Sequence, residues 1–93
     1  MNKLVFEVWR DEGAASQQAG VVHPQNDKVR VSTMPRAVLV HTLTAYSDRD
    51  FWRQFYAWNG KAEWEPDETL PEHFFTEQEL KEQQDYLMRR NGS

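Results

Sequence analysis

The sequence predicts an α+β fold. A small antiparallel sheet of three to four strands occupies the N-terminal half and is packed by an aromatic-rich helix at about 48–58; an acidic loop and a peripheral C-terminal helix at about 77–90 follow. Three observations carry this expectation. Apolar and β-branched residues alternate at Leu4, Phe6 and Val8 and again at Val38, Val40, Thr42 and Thr44. Helix-start signatures stand at Ser47 and Thr76. Six of the twelve aromatic residues fall within residues 45–58.

The first strand is "KLVFEVWR", residues 3–10. Leu4, Phe6 and Val8 share one face; Val5, Glu7 and Trp9 share the other. Both faces are mostly apolar, which places the strand inside a sheet rather than at its edge. Residues 11–20, small and polar, read as a loop. Residues 21–31, "VVHPQNDKVRV", read as a hairpin, with Pro24, Asn26 and Asp27 as turn residues and Val29 and Val31 alternating beyond them. Over 35–46, four alternating β-branched residues favour a strand, because branching at Cβ restricts χ1 in a helix. Pro35 with Leu39, Leu43 and Tyr46 offers a helical alternative for the same stretch.

Ser47 is the N-cap of the aromatic helix, with Asp50 as a short capping-box acid, Tyr46 and Phe51 as the staple, and Gly60 as the stop. Thr76 and Glu79 form a full capping box for the last helix, and Phe75 with Leu80 its staple. That helix carries acids at its start and Arg89 and Arg90 at its end, which suits the helix dipole. Its apolar stripe is narrow, so it belongs at the periphery. Residues 61–74 contain Pro66 and Pro71 and connect the two helices without regular structure.

A chain of 93 residues is one domain by default, 1–93. Its apolar fraction of 39% lies below the range of about 45–50% for globular proteins, but aromatics at 13% compensate. Each buried ring removes roughly 150–250 Å² from water, at about 25 cal/mol per Å². The modest apolar content also leaves room for a homodimer. There is no cysteine, so disulfides, thiolate zinc sites and cysteine nucleophiles are excluded. The N-terminal apolar run is too short for a signal peptide or a membrane span. The expectation is a soluble, cytoplasmic protein.

On the aromatic helix, Phe51, Phe55 and Trp58 fall on one stripe and are assigned to the core. Trp52 and Tyr56 lie on its flank, beside Arg49 and Arg53. Trp64 in the loop is placed either to cover that flank or to join it. Charge is uneven: residues 61–85 hold nine acids and two lysines, whereas residues 1–60 hold seven basic and six acidic residues. Such an acidic half argues against contact with nucleic-acid phosphate along that surface.

No catalytic constellation is visible. The three histidines, His23, His41 and His73, have no zinc spacing, and neither a G-x-S-x-G elbow nor a glycine-rich phosphate loop occurs. Glu7 is the one carboxylate set among apolar neighbours, and Arg10 or Arg30 is its expected partner. The preferred function is therefore non-enzymatic protein binding, with no cofactor and no metal. Trp52, Tyr56 and Trp64 supply apolar area, and Glu63, Glu65, Asp67 and Glu68 steer a partner with a basic surface.

One alternative rests on "KVRVSTMPRAVLVHTLTAYSDRDFWRQF". This stretch resembles a ribbon-helix-helix segment in outline: a short strand, a proline, a helix, a cap and a second helix. The resemblance implies a DNA-binding regulator in which Arg30 and Ser32 point from the strand into the major groove. It requires 35–46 to be helical. Further readings are an acidic mimic of nucleic acid and a small enzyme of unknown class.

Overall fold

The computed structural model describes residues 1–61, 63, 65 and 69–92. Among them the elements run β1 (Leu4–Asp11), β2 (Ser16–Val21), α1 (Pro24–Thr33), β3 (Val38–Ala45), α2 (Asp48–Trp58) and α3 (Glu77–Gly92). β1 is the middle strand of a sheet of order β2-β1-β3 and is antiparallel to both neighbours. The α+β architecture is thus the one that the sequence pattern implies.

Strand alternation divides the molecule. Leu4, Phe6 and Val8 point to one face, where they meet Ala45, Phe51, Phe55 and Phe75 in a buried cluster. Phe6 stacks on Phe51 with ring centres 4.3 Å apart and planes 12° from parallel. The cap chemistry that starts and stops the helices is present. Ser47 Oγ accepts from the Asp50 N–H at 3.0 Å, and the Asp50 carboxylate accepts from the Tyr46 N–H at 3.3 Å. Gly60, at φ 79°, ends α2; its N–H reaches the Ala57 carbonyl while the Lys61 N–H reaches that of Tyr56. At α3, Thr76 Oγ1 accepts from the Glu79 N–H at 3.1 Å, and Glu79 returns the bond to the Thr76 N–H at 2.9 Å.

The structure corrects the sequence reading in three places. Residues 24–31, read as part of a hairpin over 21–31, belong instead to the helix α1. Pro24 fits its first turn, and His23 caps it: the ring Nδ1 accepts from the Gln25 N–H at 3.0 Å. Val29 and Val31, whose alternation suggested a strand, stay exposed, so nothing apolar enforces that period. Polar ties hold α1 instead. Asn26 donates to the Val21 carbonyl at 2.8 Å, and Gln18 donates to the Asn26 carbonyl at 3.1 Å.

The second correction is β2, which begins inside the stretch assigned to a loop. Of residues 16–21 only Val21 is β-branched, yet the whole stretch pairs with β1 from Phe6 to Asp11. The third is a bulge in β3. Val8 faces His41 while Trp9 faces Leu39, so Val40 is an extra residue on the edge strand. His41, Leu43 and Ala45 keep the face of α2, and the alternation expected through Val38 and Val40 changes phase there. Because 38–45 is strand and 28–32 is helix, the ribbon-helix-helix outline does not match the elements of this fold.

Candidate functional site

α2 lays Phe51 and Phe55 into the core and turns Trp52 outward. Trp52 packs edge-on against Phe51 and Phe55, with ring centres 4.8 and 5.5 Å apart, yet 37% of its surface remains exposed. Tyr56, one turn further on, is half-buried, and its ring centre is 6.1 Å from that of Trp52. These two expected site residues are therefore brought together on one rigid flank.

Trp58 departs from expectation. It was assigned to the core with Phe51 and Phe55, but it is 39% exposed. It lies at the last turn of α2, above the bulged strand. There it stacks on His41 at 4.4 Å with planes 5° apart, and the Arg10 guanidinium stands 5.7 Å from its ring centre. Trp58 stands over β3, the edge strand, so no further strand lies beyond it to cover the indole.

The cations beside the flank are engaged by neighbouring acids. Arg49 bonds the Leu70 carbonyl and approaches Glu72 at 3.5 Å, while Arg53 approaches Asp50 at 3.6 Å. Glu72 also accepts from the Ser47 hydroxyl. Glu63 and Glu65 are exposed beyond the Gly60 turn. Trp64, Asp67 and Glu68, the other expected site residues, lie outside the described residues.

The opposite face of the sheet holds a charged network that sequence reasoning found only in part. Glu7 is paired, but by Arg90 of α3 rather than by Arg10 or Arg30. Arg90 Nη2 reaches both carboxylate oxygens at 3.0 Å. The Trp9 indole N–H also donates to Glu7, at 2.9 Å, and the Arg30 guanidinium lies 3.8 Å over the Trp9 ring. Asp27 joins the helices, accepting from Arg30 at 2.7 Å and from the Tyr86 hydroxyl. Arg90 Nη1 stands 3.6 Å from Asp27, too far for a hydrogen bond, and has no hydrogen-bond partner among the described residues. Gln83, also from α3, is buried and closes the sheet end. It accepts from the Val5 N–H at 2.7 Å and donates to the carbonyls of Val5 and Val22 at 2.9 and 3.0 Å.

The network moves titrations. Burial pulls Asp27 upward, but hydrogen bonds from Tyr86 and Arg30 and the charges of Arg90 and Arg30 outweigh it and hold the carboxyl below its usual value. Burial, together with the bond to Asp27, pushes the Tyr86 hydroxyl up. Glu79 is lowered chiefly by its bond to the Thr76 N–H, with help from His73 at 2.9 Å.

These groups hold one another through hydrogen bonds and ion pairs. The cavity between Glu7, Trp9, Asp27 and Arg30 is only about 10 Å³, no more than one water fills. A larger groove of about 480 Å³ runs between α3 and the sheet end, over Leu4, Val22 and Phe75. Much of its polar wall is already spent, with His73 on Glu79, Tyr86 on Asp27, Gln78 on Glu82 and Gln83 on the strands. Among the described residues, no group of three or more His, Asp or Glu is placed to hold a metal ion, and no helix is long and apolar enough to cross a membrane.

Comparison of the chain with protein-family models, with curated proteins and with solved structures found no match.

Proposed function

We propose that the chain is a non-enzymatic protein-binding module whose contact surface is the outer flank of α2. One observation carries this reading: Trp52 keeps 37% of its surface in water while packed against the buried rings of Phe51 and Phe55, with half-buried Tyr56 one turn away. An aromatic ring fixed by its neighbours and exposed at its rim loses little conformational freedom on binding, which is why such rings dominate interface energies.

The partner's chemistry follows from the charges. Arg49 and Arg53 are drawn onto Glu72 and Asp50, so the acids beyond α2 set the field. Residues 61–85 carry nine acids against two lysines. The reading favours a protein that sets an apolar knob within a basic surround, with Glu63 and Glu65, joined by Asp67 and Glu68, steering its approach. The lack of cysteine suits a reducing compartment, and the cytoplasm is the proposed site of action.

Affinity capture from the native cell extract tests this, run in parallel with wild type, Trp52→Ala and the double variant Glu63→Lys/Glu65→Lys. A partner held by wild type, lost with Trp52→Ala and weakened by added salt supports the proposal. A set of captured proteins identical for all three chains overturns it.

A further inference from the structure

The groove between α3 and the sheet end holds about 480 Å³, within the range of about 300–1,000 Å³ in which proteins seat ligands. Its floor is apolar, made by Leu4, Val22 and Phe75. The polar groups beside that floor are committed within the fold: Gln83 gives its amide to Val5 and Val22, and Tyr86 gives its hydroxyl to Asp27. An occupant therefore meets carbon below and charge only at the rim.

The rim charge is divided along the groove. Glu79, Glu82, Tyr86 and Arg89 follow one another on one side of α3, and Glu79 and Arg89 lie about 15 Å apart along its axis. At the Glu79 end, the bridge between Ser47 and Phe74 brings the start of α2 against the segment leading into α3, and Asp48 and His73 border the groove there. That end carries the carboxylates of Asp48, Glu79 and Glu82; the other carries the Arg89 guanidinium. Asp48 and Arg89 are exposed, and neither has an ion pair among the described residues. Asp48 also lies one turn before Trp52 on α2, so the groove opens on the side of the aromatic flank.

We propose that this groove takes an extended peptide segment with a lysine or arginine at the Asp48 end, apolar side chains on Leu4, Val22 and Phe75, and a carboxylate at Arg89. The inference rests on the protein-binding reading above and names the segment that such a partner brings. An extended chain advances about 3.3 Å per residue, so roughly four to five residues span the distance between the two charged ends. Alternate side chains of that segment point to one side, which lets its apolar residues reach the floor together while its backbone stays at the open rim and bonds to water. Opposite charges at the two ends fix which end of the segment lies where, and the apolar floor supplies the burial.

Nuclear magnetic resonance of the isotope-labelled full chain tests the proposal. The probe is an end-blocked peptide of lysine, leucine, serine, leucine and aspartate, in that order. Wild type should show saturable amide shifts at Val22, Phe75 and Gln83. Arg89→Glu should weaken this probe about tenfold, since attraction becomes repulsion, and should prefer a probe with lysine at both ends. Asp48→Asn should weaken it about threefold, the scale of an exposed ion pair, with the circular dichroism spectrum unchanged. Trp52→Ala should bind the probe as wild type does. No saturable shift at these residues up to several millimolar overturns the proposal, as does binding unchanged in either charge variant. Leucinamide bound as tightly as the peptide would assign the groove to a small amine and also overturns it. Capture lost with Trp52→Ala while no probe binds sinks the groove alone; a bound probe with capture indifferent to Trp52→Ala sinks the flank alone.

Discussion

The two faces of β1 hold their helices by different physics. On one face Leu4, Phe6 and Val8 meet Phe51, Phe55 and Phe75, and the contact is rings against aliphatic carbon with no polar atom required. On the other, Glu7 and Trp9 meet Arg30, Asp27, Tyr86 and Arg90, and the helices α1 and α3 are tied by charge. The apolar face tolerates small shifts, because dispersion and burial vary smoothly with position. The charged face is stable only when nearly complete, since each group depends on a partner from another element. A narrow apolar stripe therefore does not make α3 a passive helix; it docks through Gln83, Tyr86 and Arg90.

Mutations on the two faces should separate these mechanisms. The largest loss is expected for Phe6→Ala, about 3–5 kcal/mol by urea unfolding, because the fully buried ring stacks on Phe51. A loss under about 1 kcal/mol would mean that the aromatic face is not the main apolar core. Next comes Glu7→Gln, at about 1.5–3 kcal/mol, since it leaves the Arg90 guanidinium without its carboxylate. The double change Glu7→Leu/Arg90→Leu should cost less than Glu7→Gln alone, because it removes both charges rather than stranding one. If the double variant is the worse of the two, the network contributes more than the mutual satisfaction of its members.

Thr76→Ala should cost about 1 kcal/mol through the lost cap of α3, and thermal unfolding reads it. The smallest effect is expected from pH. Asp27 sits below its usual value in the folded chain, so the stability that it contributes is complete above about pH 4 and is lost as pH falls through its folded titration. Asp27→Asn should flatten the acid limb of a stability–pH curve, leaving the part due to Glu79, which is lowered in the same direction. An unchanged acid limb would show that Asp27 is not held by Arg30 and Tyr86 in solution.

Much of this was legible in the chain. β1 carries its apolar residues on a strict period of two, and both caps announce their helices within four residues. The adjacency of Trp52 and Tyr56 on one side of α2 was legible as well, since it follows from helical spacing alone. Trp58 was not, because its exposure depends on how far the sheet extends beneath it. α1 was misread for a related reason. Val29 and Val31 alternate as in a strand, yet both are exposed, and the contacts that make the segment helical come from Gln18, Val21 and Tyr86 elsewhere. No local signal could single out Arg90, 83 residues from Glu7, among eleven cations.

Local order, then, was written in the residues themselves. Side-chain period, cap hydroxyls and the glycine stop act over one or two turns, where the chain's own stereochemistry decides. The bulge at Val40, the partner of Glu7, the helical state of 24–33 and the exposure of Trp58 were settled only when distant segments met. Each is a competition between a weak local preference and a bond whose other half lies far along the chain, and such a bond exists only once the tertiary fold has brought the two together.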